Sequence, residues 1–123
     1  MDETVNRILD ALRSIRVPAV PGEYDIHGMV AEALRDAQIP FSHEVSLSPG
    51  RRVDFISDCV GIEVKKSRPQ RSKLIAQAEK YLASPRLQAL IVVSQKNVSL
   101  PRFIAGKPVY LLSLDRLWGV SLP

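Results

Sequence analysis

The chain has 123 residues, is 46% hydrophobic and 24% charged, and carries a formal net charge of +4. That length suits one domain with a core that needs no disulfide or structural metal, and the single cysteine, Cys59, excludes an internal bridge. No Cys/His cluster has zinc spacing, the acidic start at Asp2 and Glu3 lacks a signal-peptide pattern, and no apolar run approaches a membrane span. A cytoplasmic globular protein with no membrane partner is expected. The charge is uneven: residues 1–50 hold 4 basic and 8 acidic side chains, whereas residues 51–110 hold 12 basic and 4 acidic ones. Such a basic segment points to a polyanion partner, above all nucleic acid, against the plainer reading of a solvated surface.

In chain order, Val5, Ile8, Leu9, Leu12 and Ile15 recur at helical spacing and predict an amphipathic helix over residues 3–15. The prolines and glycine of residues 17–22 stop it. A second helix is predicted over 24–38, with Ile26, Met29, Val30, Ala33, Leu34 and Ala37 on one face, ended by Pro40. Three extended segments follow at 41–47, 51–57 and 60–66, joined by a Ser48-Pro49-Gly50 turn and by Asp58-Cys59. A third helix is predicted over 71–83, with Leu74, Ile75, Ala78, Tyr81 and Leu82 facing the core. Leu87 to Val93 is an almost unbroken apolar run, the pattern of a strand covered on both faces, and 109–114 looks similar. The order predicts an α/β domain, a mixed sheet of about five strands flanked by helices. The division expected is an N-terminal helix and linker at 1–20, a core at 24–114 and a tail at 115–123.

Strand alternation gives residues 51–66 their chemical content. Asp54 points away from Val53 and Phe55, and Glu63 and Lys65 point away from Ile62 and Val64. A two-residue loop at Asp58-Cys59 then sets Asp54 opposite Glu63, with Cβ atoms roughly 4.5–5.5 Å apart. Two opposed carboxylates repel, and a divalent cation such as Mg²⁺, which takes hard oxygen ligands, removes the repulsion. Lys65, one pleat from Glu63, lies within reach of a phosphate or an attacking water. The alternative is a hairpin with charges on its wet face.

Asp54 followed by Glu63-Val64-Lys65 resembles the D…(E/D)xK signature of the PD-(D/E)xK nuclease superfamily, and the element order over residues 24–114 is similar to that superfamily's core. Val53 stands where the naming proline would precede Asp54, a departure common in the superfamily. Gly28 to Leu34 resembles the helix of small archaeal-type Holliday-junction resolvases, with Glu32 as its acid, and Gln77 with Tyr81 resembles the QxxxY element of RecB-type branches.

The resemblance implies a restriction-endonuclease-like fold and Mg²⁺-dependent cleavage of DNA, with Mn²⁺ as substitute and no organic cofactor. It assigns the cation to Glu32, Asp54, Glu63 and the Val64 carbonyl, with Glu44 or Asp36 as alternative third acids. Lys65 would activate water or stabilise the transition state, and Gln77 would orient the site. His27 reads as structural, with a metal or phosphate contact as the alternative. Lys66, Arg68, Arg71 and Lys73, with Arg51 and Arg52, are placed as phosphate contacts. Recognition of shape is expected over recognition of a long sequence; a branched junction or flap fits as substrate, and so does nonspecific duplex. The apolar tail at 117–123 offers a homodimer contact or a core cap. A subunit that keeps the fold and binds nucleic acid without cleaving it is the rival function.

Overall fold

The helical periodicities become three helices, α1 (Asp2–Leu12), α2 (Ile26–Asp36) and α3 (Arg71–Leu82), in a computed structural model that describes residues 2–16, 25–66 and 69–114. Val5, Ile8, Leu9, Leu12 and Ile15 are all buried, as their spacing requires. Asp25 caps α2, its side chain accepting a hydrogen bond of 2.9 Å from the Gly28 N–H. That satisfies one of the donors a helix start leaves unpaired. The linker after α1, Arg68 and the tail from residue 115 lie outside the described residues.

Six strands form one mixed sheet: β1 (Ser42–Ser48), β2 (Arg51–Ser57), β3 (Val60–Lys65), β4 (Ala89–Ser94), β5 (Phe103–Ile104) and β6 (Lys107–Ser113), in the order β1-β2-β3-β4-β6-β5. The first three run antiparallel through tight turns, and β3, β4 and β6 are parallel. Every residue of β4 is buried, because it lies between two parallel neighbours with helices over both faces. The sixth strand, β5, exceeds the five expected. It forms a hairpin with β6 through Ala105 and Gly106, both left-handed (φ 54° and 74°), and Ala-Gly carries little turn signal. Ser57 pairs with Val60 across Asp58-Cys59, the loop the sequence predicts.

Two apolar layers hold the sheet. Helices α1 and α2 pack on one face over Phe55, Val60, Ile62, Val64, Ile91 and Leu112. Helix α3 packs on the other over Val53, Ile56, Leu90, Val92 and Val109. The expectation that Val53 and Phe55 share a face is therefore corrected: Val53 belongs to the α3 layer and Phe55 to the α2 layer. Strand β1 does the same. Phe41 and His43 lie with the α2 layer, the latter stacked on Phe55 at 4.5 Å between ring centroids, whereas Val45 and Leu47 pack on the α3 layer. Both strands change face at one level, where Glu44 of β1 takes φ 54°. A left-handed residue other than glycine costs about 1–2 kcal/mol, so the surroundings must enforce it. Strands β3, β4 and β6 alternate regularly throughout.

Candidate active site

The face change shapes the site. Paired residues between β2 and β3 run from Ser57–Val60 through Ile56–Gly61 to Phe55–Ile62, and the next pair would be Asp54 with Glu63. There two reciprocal side-chain bonds join the strands. The Val64 N–H donates to Asp54 Oδ2 at 2.8 Å, and the Asp54 N–H donates to Glu63 Oε1 at 3.2 Å. Each carboxylate thus satisfies a backbone donor of the other strand, which holds both acids at the fork.

The two acids face different layers. Glu63 follows regular alternation and points toward α3, only 5% exposed. Its Oε2 lies 3.2 Å from the Lys65 ammonium and 3.3 Å from the Tyr81 hydroxyl. That hydroxyl donates to the Arg52 carbonyl at 2.8 Å and accepts from Gln77 Nε2 at 2.9 Å. Asp54, half-buried, reaches toward α2 instead, where His27 Nε2 lies 3.3 Å from its Oδ2. The proposal of opposed side chains on one face is corrected accordingly: the acids meet at a junction between the layers.

Burial pushes the Glu63 carboxyl above its ordinary value, and the nearby Asp54 charge adds to the rise, while the Lys65 ammonium opposes both. Burial, followed by the charges of Glu63 and Asp54, also raises the Tyr81 phenol, which stays protonated as a donor. A buried carboxylate beside a second acid is an unfavourable arrangement for stability alone, and perturbed groups of this kind cluster where chemistry occurs.

Of the expected site residues, Asp54, Glu63, Lys65 and Gln77 come together, with Val64 lending its N–H to Asp54. Glu32 does not join them. It is exposed and lines a separate groove of about 190 Å³ with Ser14, Arg16 and Asp36, between α1 and α2. It lies five positions beyond His27, which turns it about 140° around the helix from the side that meets Asp54. Among the described residues, no group of three or more His, Cys, Asp or Glu side chains is arranged to hold a metal, and Glu32 lies in the other groove. Glu44 is exposed and sits at the edge strand.

Two cavities meet at Gln77. One, of about 510 Å³, is lined by Ser46, Gly50, Arg51, Arg52, Gln77 and Tyr81. The other, of about 250 Å³, is lined by Lys65, Pro69, Gln70, Lys73, Leu74 and Gln77. Arg51, Arg52 and Lys73 are exposed along this line, and Lys66, next to Lys65 in the chain, is exposed as well. Arg71 is exposed too, but its Nε donates to the Ser99 carbonyl at 2.8 Å, so it also ties α3 to the loop after β4.

Sequence reasoning missed two features. The contact between His27 and Asp54 has a weak signal, a histidine in the first turn of a capped helix. The left-handed Glu44 has none, since glutamate is not a residue that favours this conformation. No family model, curated protein or solved structure matches the chain.

Proposed function

We propose that this protein is a divalent-metal-dependent endonuclease hydrolysing phosphodiester bonds in DNA, on a restriction-endonuclease-like core of the PD-(D/E)xK kind. The observation that carries the reading is the fork itself. A buried Glu63 and a half-buried Asp54 are bonded into each other's strands, with Lys65 on the Glu63 carboxylate.

Two carboxylates and a carbonyl suit Mg²⁺ or Mn²⁺, which typically take one or two carboxylates and leave other positions for water and phosphate oxygens. Asp54, Glu63 and the Val64 carbonyl would hold the cation, with His27 beside Asp54. Such a cation supplies a bound water of lowered pKa and neutralises charge on the phosphate. Glu63 must lose its proton to serve as a ligand, and Lys65 favours that loss through its charge. Lys65 then places an ammonium where negative charge grows on the phosphorus oxygens. Gln77 holds Tyr81, and Tyr81 holds Glu63 and the Arg52 carbonyl, so the helix fixes the carboxylate's orientation.

Arg51, Arg52, Lys66 and Lys73 supply phosphate contacts around the same opening, which positions a backbone without reading bases. Arg71 and Arg68 belong to the same segment. Selection of a branched shape such as a junction or flap follows better from these contacts than recognition of a long sequence. A symmetric homodimer would present two sites to two strands.

The test is incubation of plasmid, linear duplex and four-way-junction DNA with Mg²⁺, Mn²⁺ or EDTA, using wild type, Asp54→Ala and Lys65→Ala. Cleavage by wild type alone, and only with metal, is expected. Cleavage that survives EDTA or either substitution refutes the mechanism. Binding to junctions without cleavage under any condition makes the protein a nucleic-acid-binding subunit instead.

A further inference from the structure

Asp54 lies level with Glu44 of the neighbouring strand. The pairs His43–Phe55 and Val45–Val53 flank the level of Glu44 and Asp54, and their register is continuous, so no inserted residue separates them. Yet the side chains on either side lie in opposite layers. His43 and Phe55 stack under α2, while Val45 and Val53 pack with α3. In two regular strands residues two apart must share a face. Glu44, at φ 54°, supplies the rotation in β1 that β2 matches at Asp54. Because β3 does not change face, Asp54 is left between the layers, with its carboxylate turned to the Val64 N–H and to His27.

The geometry points to Glu44 as a positioning residue for Asp54, acting through its left-handed backbone and not through its carboxylate. The carboxylate itself is exposed, and the ion pair closest to it is Arg52 at 4.0 Å, at the limit of contact. The cation-binding part of the inference rests on the function proposed above; the positioning part does not.

The two parts separate in one experiment on the full chain. Glu44→Gly and Glu44→Asn keep the left-handed conformation and remove the carboxylate, whereas the β-branched Glu44→Thr and Glu44→Val resist it. Amide NMR spectra in EDTA report the Val64 N–H, whose resonance is displaced by its bond to Asp54 Oδ2. Mn²⁺ binding is measured in parallel by electron paramagnetic resonance. The Gly and Asn variants should keep the wild-type Val64 resonance and Mn²⁺ affinity. The Thr and Val variants should lose the Val64 signature and weaken Mn²⁺ binding about tenfold or more, the usual result of misorienting a ligand. If the Val variant does not fold, the comparison of Thr with Gly decides. An unchanged Val64 resonance in Thr overturns the inference, as does a Gly variant displaced as far as Thr. If wild type binds no Mn²⁺ while the Val64 resonance still sorts the variants this way, positioning stands and the nuclease reading falls.

Discussion

Replacing Tyr81 by Phe isolates what the α3 layer does for the site. The ring is 4% exposed, so Phe fills the same space and leaves no cavity. Only the hydroxyl is removed, with its donation to the Arg52 carbonyl at 2.8 Å, its contact to Glu63 Oε2 at 3.3 Å and the bond it accepts from Gln77 at 2.9 Å. One hydroxyl has one hydrogen, so the Arg52 and Glu63 contacts share it, and the shorter takes most of it. Arg52 is exposed and Gln77 half-buried, which lets water replace part of what the hydroxyl supplied to them. Glu63 cannot recover as easily. Counting about 1 kcal/mol for the net loss of the main bond, with a further part for Glu63, gives roughly 1–2 kcal/mol. For a chain of this length that lowers Tm by about 5 °C. Without this donor the Glu63 carboxylate is also harder to ionise, so divalent-cation affinity at neutral pH should fall with stability. Differential scanning calorimetry and Mn²⁺ titration measure the two effects. A Phe variant with wild-type Tm and wild-type cation affinity refutes the role given to the Gln77–Tyr81–Glu63 chain. The double change with Gln77→Ala should cost less than the two single changes added, because both break the same network.

The raised pKa of Glu63 carries a definite sign. The folded state holds this proton above the ordinary value of 4.5, where the unfolded chain has already released it, so stability in EDTA should fall as pH rises through that window. One proton gives at most about 1.4 kcal/mol per pH unit, and Glu63→Gln should remove this part of the Tm–pH curve; persistence of the slope in that variant rules Glu63 out as its source. Charge removal at Arg51, Arg52 and Lys73 should weaken DNA binding alike for all sequences and flatten the log–log salt dependence by about 1 for each phosphate no longer neutralised, measured by fluorescence anisotropy. An unchanged salt slope would exclude them as phosphate ligands. His27→Ala should weaken Co²⁺ binding more than Mg²⁺ binding, since imidazole favours the later first-row ions, and equal effects in calorimetric titration would exclude His27 as a ligand.

What the sequence determined by itself is what repeats along the chain. The five apolar residues of α1, the buried stripe of α3 at Leu74, Ala78, Tyr81 and Leu82, and the unbroken apolar run of β4 all follow from burial acting at a fixed period. The Asp58-Cys59 hairpin set the register that brings Asp54 level with Glu63, and α-helical spacing set Gln77 against Tyr81. Where a feature depended on something beyond its own period, tertiary structure decided it. Glu32 and His27 share α2, but the packing of α1 and the sheet fixed its rotation so that His27 meets Asp54 and Glu32 lines the other groove. Asp54 was expected on the Glu63 face because alternation assumes a regular strand, and the left-handed Glu44 on the neighbouring strand broke that regularity. Local pattern specifies which residues must be buried. It does not specify a backbone twist held in place by two layers packed on opposite faces of the sheet, and that twist sets where Asp54 points.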